Sequence, residues 1–396
     1  MSSQLVIAKA LRCVPRSKKS MKVLITGGAG FIGTKLSTEM LKAGWEVNVL
    51  DNFSGQVHAD NVLDKHLSEH VNLFIGDVRD KGLLEKAVNG CQCVIHLAAE
   101  TGTGQSMYEI DRYFSVNVQG TAGLIDVISS KKQAASVDSL IVASSRAVYG
   151  EGAYSCADHG TVFPDSRDSA AMERGQFELT CPVCRKHVKS IPTCETAPVN
   201  PSSYYGLTKQ FQEQAVLMAA KRLGLKGVAV RCQNVYGPGQ SLKNPYTGIL
   251  AIFSNLLRQE CPIDIYEDGL ESRDFVYVDD VVESIQGLVQ MESDFVGAVN
   301  IGSGVATSVI DVATTIKAWL KSSSDIGVTG QFRVGDIRHN TASLDLLRTL
   351  TSDVPKTSFE DGINEFLTWA VTQPFHDKLA YKRSVEELSA RGLFKK

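Results

Sequence analysis

The chain has 396 residues, of which 43% are hydrophobic and 21% charged, and carries a formal net charge of −3. Such a length allows two domains or one large core with an annex, and the composition is that of an ordinary soluble globular protein. The near-neutral balance, without a basic stripe interleaved with aromatics, speaks against nucleic acid as a partner. No apolar run approaches the ~18 residues that would span a membrane.

The first twenty residues, MSSQLVIAKALRCVPRSKKS, are basic and lack any acid. Their apolar part is too short for a secretory core, so 1–20 reads as a poorly ordered extension ahead of a transit peptide. From Met21 the pattern turns to strand, helix, strand. The run 22-KVLIT-26 stops at a glycine cluster, and Phe31, Ile32, Leu36, Met40 and Leu41 then recur at helical period up to Lys42. Strand-like runs follow at 46–51, 71–77, 93–99 and 139–145, and the rhythm resumes at 227–235. Strands alternating with helical stretches predict an α/β fold with a doubly wound parallel (Rossmann) sheet. The expected organisation is a dinucleotide domain over 21–150, an insertion over 151–198, and a return of the first domain over 199–240. A mainly substrate-binding domain follows over 241–396, ending in a surface helix and a frayed tail.

The stretch 26-TGGAGFIG-33 places Gly27, Gly30 and Gly33 between the first strand and the first helix. Gly27 suits the tight turn, Gly30 lets backbone approach a pyrophosphate, and Gly33 lets the helix pack on the sheet. The helix N-terminus then offers unpaired N–H groups to phosphates. Asp51, at the end of the second strand, suits two ribose hydroxyls and would repel a 2′-phosphate, which favours NAD over NADP. Asp77 and Val78 suit adenine, although a solvated turn acid explains Asp77 as well.

In 204-YYGLTK-209, Tyr205 and Lys209 stand at i and i+4, on one face of a helix. An ammonium beside a phenol favours the phenolate, so Tyr205 is the candidate general base. Ser145, at the end of 139-SLIVASS-145, could bind the same substrate hydroxyl.

The segment between about Gly150 and Pro198 breaks the rhythm, and roughly fifty residues without structure would be improbable inside a compact domain. Of the nine cysteines, Cys91, Cys93, Cys232 and Cys261 lie in apolar runs and read as buried thiols. Cys156, Cys181, Cys184 and Cys194 crowd into the polar segment. There 156-CADH-159 and 181-CPVC-184 form Cys-x2-His and Cys-x2-Cys pairs separated by twenty-one residues. Cys156, His159, Cys181 and Cys184 would fill a tetrahedral Zn2+ sphere and leave no open position, which makes the site structural. Cys194 or His187 could replace His159, and a redox-active Cys-x-x-Cys pair is the other reading.

The chain resembles the extended short-chain dehydrogenase/reductase superfamily, especially its nucleotide-sugar epimerases and dehydratases, from Lys22 to about Trp369. The resemblance rests on TGGAGFIG, LDNFSG, GDVRD, HLAA, VNVQGT, SSRAVYG, YYGLTK, NVYGPGQ, SRDFVYVDD and GDIRH. With its cysteine-rich insertion the chain looks most like dTDP-L-rhamnose 4-epimerases. The resemblance implies that Gly27, Gly30, Phe31, Ile32, Gly33, Asp51, Asn52, Asp77, Val78, Leu97, Ala98, Ala99, Asn117, Tyr205 and Lys209 bind NAD. It implies that Ser145, Arg146, Tyr205, Asn234, Arg273 and Arg338 bind a nucleotide-diphosphate sugar, with Asn234, Arg273 and Arg338 at its nucleotide and diphosphate; a structural salt bridge is the other reading of each of these arginines. A cytoplasmic homodimer is expected on the same ground.

Dehydratases of the family place an Asp-Glu pair after the strand-end Ser/Thr, where this chain has Arg146 and Ala147, so dehydration is disfavoured, and Ala147 also speaks against decarboxylation. What fits Ser145, Tyr205, Lys209 and NAD is 4-epimerisation, with a 4-keto-sugar reductase as alternative. An NAD-binding scaffold or sensor is the non-enzymatic reading.

Overall fold

The computed structural model describes residues 21–58, 63, 65–130, 136–246, 248–377 and 379–396, and the expected extension over 1–20 lies outside them. Strands β1 (Lys22–Thr26), β2 (Glu46–Asp51), β3 (Asn72–Ile75), β4 (Cys93–His96) and β5 (Ser139–Ser145) alternate with helices α1 (Phe31–Lys42), α2 (Lys81–Val88) and α3 (Gly120–Ile128). After the insertion come α4 (Tyr204–Leu223), β9 (Lys226–Cys232) and β10 (Asn234–Tyr236), and later α6 (Val278–Gln290) and β13 (Val296–Ile301).

Seven parallel strands form one sheet in the order β13-β9-β5-β4-β1-β2-β3. Side chains alternate across it, as the two-residue strand period requires. Val23 and Ile25 of β1 face a core shared with Leu36 and Met40 of α1 and Val281 and Ile285 of α6. Leu24 faces the opposite core, with Leu84 of α2, Leu124 of α3 and Val216 of α4. Both faces are covered, so the central strands read as continuous apolar runs. The doubly wound parallel sheet is the fold expected from the sequence. The stretch 241–396 serves both lobes: β13 forms the edge of the large sheet, and Lys35 of α1 pairs with Asp279 of α6 at 2.6 Å.

A second lobe gathers α5 (Ile249–Leu257), β11 (Ile263–Ile265), β12 (Ser272–Tyr277), α7 (Val309–Leu320) and α8 (Phe359–Ala370) around its own core. The end of the chain is not frayed. Helix α9 (Leu379–Ala390) leads into β17 (Phe394–Lys395), which pairs antiparallel with β16 (Phe332–Arg333) and sets Phe394 against the Tyr266 ring. Among the described residues no helix is long and apolar enough to cross a membrane.

The insertion is ordered. Strands β6 (Tyr154–Cys156), β7 (Gly160–Val162) and β8 (Lys189–Ser190) form a small antiparallel sheet. Beneath it Tyr154, Val162, Leu179 and Val188 pack with Cys156 and Cys181 in a satellite core.

Candidate active site

The turn between β1 and α1 needs its glycines. Gly27 has φ +70°, and a Cβ there would stand 2.8 Å from the backbone nitrogen of Ala98. At Gly33 a Cβ would meet the Gly27 carbonyl at 2.3 Å, so only glycine lets α1 sit this close to the turn. No side chain caps α1 at Gly30, which leaves first-turn N–H groups and the positive end of the helix facing the cleft. Asp51 ends β2 and is nearly buried. Its carboxylate accepts from the N–H of Ala29 (3.1 Å) and Phe53 (2.9 Å) and faces His58 Nε2 at 3.6 Å.

A cavity of about 540 Å³ runs along this turn and is lined by Gly27, Gly30, Phe31, Ile32, Gly33, Asp51, Asn52, Val78, Leu97, Ala98 and Ala99. An uncapped helix N-terminus, a glycine approach and a strand-end carboxylate fit the pyrophosphate and ribose of a dinucleotide. Two residues expected at the cofactor stand behind the lining. Asp77 is held by Arg79, whose Nε and Nη2 both donate at 2.7 Å and keep the carboxyl below its ordinary range. Asn117, fully buried in the π-helical turn Phe114–Gln119, is spent on backbone. Its side chain accepts from the N–H of Glu100 and donates to the Glu100 carbonyl and to Thr208 Oγ1.

Ser145, Tyr205 and Lys209 meet at the inner end of the same cavity. Ser145 ends β5 and caps the 3-10 turn Arg146–Tyr149, accepting from the N–H of Ala147 at 3.2 Å. Ser203 caps α4 by accepting from the N–H of Gly206, so Tyr205 lies in the first turn and Lys209 one turn later. Gly206 decides how near they come, because a Cβ there would lie 2.5 Å from the Ala147 carbonyl. The close approach brings the Ser145 hydroxyl near enough to the Tyr205 phenol to favour its ionised form.

The charges around this phenol differ from the simple expectation. Burial raises the Tyr205 pKa, and the Ser145 hydroxyl and the Arg146 charge pull against it. Lys209 Nζ lies 6.0 Å from the Tyr205 ring centroid and donates to the Ala143 carbonyl at 2.9 Å, and burial lowers its pKa to about 8. A further cation whose charge reaches the phenol is Arg146. It donates from Nε to Asn234 Oδ1 at 2.9 Å, and burial first, then the nearby Arg273, brings its pKa down to about 10.

A second cavity of about 160 Å³ opens from the first, sharing Thr103, Arg146, Asn234, Tyr246, Gly248 and Ile249 as lining. Its far wall carries Tyr266, Glu271, Arg273, Arg333, Asp336 and Tyr381. Arg273 Nη2 pairs with Asp336 at 3.1 Å. Arg338, expected beside it, is elsewhere. It is fully buried outside both linings, and its Nε, Nη1 and Nη2 make five hydrogen bonds to Glu178, Glu267 and Asp268. A guanidinium has five N–H donors, so none is left for a phosphate. Sequence reasoning passed over Arg333, which sits before the same Gly-Asp turn and faces the cavity, its guanidinium 5.0 Å from the Tyr266 ring centroid. Two arginines flank that turn in 332-FRVGDIRH-339, and only the fold says which one faces the cleft.

In the insertion, the ligand atoms of Cys156, His159, Cys181 and Cys184 all lie within 4.8 Å of one another. Cys156 Sγ is 3.6 Å from His159 Nδ1 and 3.7 Å from Cys184 Sγ, and Cys181 Sγ is 3.7 Å from His159 Nδ1. Zinc–sulfur bonds of about 2.3 Å and zinc–nitrogen bonds of about 2.0 Å put tetrahedral ligand atoms about 3.5–3.8 Å apart. The Cys181 N–H bonds the Lys186 carbonyl at 2.7 Å, and Arg185 takes a left-handed φ of +62°, closing a knuckle. Hydrogen bonding with His159 brings the Cys156 thiol down to about 6. Cys194 stands apart, exposed and bonded to Thr196 at 3.1 Å, and His187 is outside the cluster.

A sequence model of the NAD dependent epimerase/dehydratase family matches residues 23–169 and 180–302, leaving out part of the insertion. The dTDP-L-rhamnose 4-epimerase of Burkholderia thailandensis is 40% identical over 353 residues, 88% of this chain and 94% of that protein. Among solved structures, the UDP-glucose 4-epimerase of Thermotoga maritima with UDP-glucose aligns with a TM-score of 0.72 at 26% identity, covering 89% of this chain and 99% of that one. The UDP-glucose 4-epimerase of Thermus thermophilus in complex with NAD aligns at 0.69 and 26%, covering 89% and 100%. A glycine-cradled dinucleotide cleft, a Ser-Tyr-Lys centre at its inner end and a family match over well over half the chain lead to one conclusion: this chain belongs to the NAD dependent epimerase/dehydratase family.

Proposed function

We propose that the protein is a nucleotide-sugar 4-epimerase that works with tightly bound NAD, on a dTDP-6-deoxyhexose such as dTDP-L-rhamnose. The observation that carries this reading is that Ser145, Tyr205 and Lys209 line the glycine-cradled cavity together with Arg146, which also lines the arginine-bearing one. A dinucleotide in the first and a nucleoside diphosphate in the second would bring a sugar C4 to Tyr205. The 40% identical relative supports the choice of sugar.

Tyr205 takes the proton of the C4 hydroxyl and later returns it, while Ser145 hydrogen-bonds the same oxygen. Arg146, with its guanidinium in the cleft, favours the phenolate against the cost of burial. Lys209, fixed on the Ala143 carbonyl, holds the floor of the site. When bound, NAD accepts the C4 hydride and gives it back, so no external reductant is consumed. Inversion requires the keto sugar to turn before that return, with Arg273 and Arg333 holding the diphosphate end. Arg146 and Ala147, where a dehydratase would need an acid and a base, leave no group to take the C5 proton.

The cysteine knuckle holds structural Zn2+ in this reading. Three sulfurs and one nitrogen within 4.8 Å of one another, with three of their separations at 3.6–3.7 Å, support it, and the described cysteines are all free thiols. A homodimer in the cytoplasm completes the proposal on family resemblance. The test is to incubate purified protein with dTDP-, UDP- and GDP-sugars and follow C4 configuration by proton NMR. The reading expects equilibration at C4 without added cofactor. Turnover of NADPH with a 4-keto sugar, and no C4 equilibration, would move the assignment to a reductase.

A further inference from the structure

No residue of the insertion lines either cavity, yet the insertion grips the turn on which the second cavity is built. Glu178 lies three residues before the first knuckle cysteine, and the neighbouring Leu179 packs with Cys156 and Cys181. The Glu178 carboxylate accepts from Arg338 Nε and Nη2 at 2.8 and 2.6 Å and faces His339 Nε2 at 3.5 Å. Earlier in the insertion, Arg167 donates to the Asp336 carbonyl at 2.8 Å, and Glu151 accepts from the Arg338 N–H at 2.8 Å. The turn over 336–339 is thus held from three points of the insertion.

That turn in its own right positions Arg273. Arg273 Nη1 donates to the Arg338 carbonyl at 2.9 Å, and Nη2 to the Ile337 carbonyl at 2.7 Å and to Asp336. His339 Nδ1 meets Ser272 Oγ at 2.8 Å, which ties the strand just before Arg273. With the bond from Nη1 to the Ser272 carbonyl, all four terminal N–H groups of Arg273 are taken, so it offers a diphosphate its charge and one Nε–H donor, whose placement the turn sets. Leu179, beside Glu178, packs against Cys156 and Cys181, so this carboxylate is attached to the knuckle through the satellite core.

We propose that the metal-ordered insertion is a positioning module for the diphosphate subsite, with Glu178 as the positioning residue between the knuckle and Arg273. The inference rests on the reading above, that metal fills the knuckle and that the second cavity takes a nucleoside diphosphate. Glu178 does not touch substrate. Its effect falls on binding at the diphosphate end and leaves the Ser145–Tyr205 chemistry alone.

The test uses the full-length protein and dTDP alone as probe, with its Kd from calorimetry, alongside metal content, retained NAD and, with the best sugar, kcat and KM. Glu178 is half-exposed, so Glu178→Gln is expected to fold, keep its metal and NAD, and keep kcat within about twofold, while the Kd for dTDP and the KM each rise about fivefold or more. Cys184→Ser is expected to lose the metal and show a similar rise, and adding Glu178→Gln to it is expected to change little, since both act on one path. A metal-replete Glu178→Gln protein that binds dTDP as the wild type does overturns the proposal, and so does a metal-free Cys184→Ser protein with unchanged Kd. Wild-type protein isolated without metal removes the knuckle from the path, and a weakened Glu178→Gln protein would then leave only a metal-independent clamp. If wild-type protein binds neither dTDP nor UDP, the reading of the second cavity fails and the inference goes with it.

Discussion

Gly206 offers a direct way to separate the geometry of the catalytic centre from its stability. An alanine Cβ at this position would lie 2.5 Å from the Ala147 carbonyl oxygen and 2.9 Å from the Pro201 side chain, against a floor of 3.0 Å that real Cβ contacts respect. The first obstacle is backbone, so helix α4 has to withdraw by at least about 0.5 Å from the 3-10 turn that carries Ser145 and Arg146. Overpacking of this kind costs about 1–3 kcal/mol. The gain in helix propensity from glycine to alanine returns up to about 1 kcal/mol, so at this chain length Tm should fall by only about 1–3 °C. Catalysis is less forgiving, since a misplacement of about 1 Å can cost about a hundredfold. Gly206→Ala should therefore retain its fold by circular dichroism and its NAD by absorbance, yet lose about tenfold or more in kcat. A variant within about threefold of wild-type kcat would refute the claim that this close approach sets the Ser145–Tyr205 contact.

The two arginines flanking the Gly-Asp turn should part company under mutation. Arg338→Ala removes one of the two arginines paired with the buried Glu267, leaving Arg167 as the other, and takes five charged hydrogen bonds with it. It should cost about 2 kcal/mol or more in unfolding free energy by urea titration, whereas Arg333→Ala should leave Tm nearly unchanged and weaken dTDP binding at least about tenfold by calorimetry. Glu151, raised to about 7 by burial despite its ion pair with Arg167 at 3.3 Å, binds its proton more tightly folded than unfolded. It contributes stability at acid pH that is lost as pH rises from the ordinary carboxyl range through about 7. Glu151→Gln should flatten this part of a Tm-against-pH curve, and an unchanged slope would show that Glu151 titrates normally. Chelation, or Cys184→Ser, should release close to one zinc per chain by elemental analysis and lower Tm by on the order of 5 °C. Retention of full Tm without metal would make the knuckle a bare thiol cluster.

What could be read from the sequence was what local chemistry dictates. The first helix, expected from Phe31 to Lys42, has those bounds, because its apolar period, its glycine start and the strand before it are all contiguous in the chain. The alternation around Ser145, Tyr205 and Lys209 was legible for the same reason, although their meeting depends on Gly206, whose role appears only when α4 lies against the 3-10 turn. The order of the insertion was visible only as a need. Its core takes Tyr154 and Cys156 from β6, Val162 from β7, and Leu179, Cys181 and Val188 from outside the strands, none of which exceeds three residues, too short to show a period. The assignment of Arg338 to substrate failed because its fate depends on carboxylates at 178, 267 and 268, which are far apart in sequence. Asn117 is similar, since its partners Glu100 and Thr208 arrive from different elements. Helical spacing put Lys209 on the face of Tyr205, and its ammonium does stand over that ring, but its anchor on the Ala143 carbonyl and the nearby charge of Arg146 come from another strand and turn.

The central claim is that Tyr205 inverts C4 of a nucleotide sugar by proton transfer, with no net redox change. The measurement that bears on it most directly is the rate at which purified protein interconverts dTDP-L-rhamnose and its C4 epimer, followed by proton NMR with no cofactor added, for wild type and Tyr205→Phe side by side. The account predicts approach to equilibrium from either epimer by the wild type, and a loss of about 10²-fold or more on removing the phenol oxygen, with NAD still bound. Wild-type protein that leaves C4 untouched in every nucleotide sugar offered, or a phenylalanine variant that turns over as fast as the wild type, would contradict it.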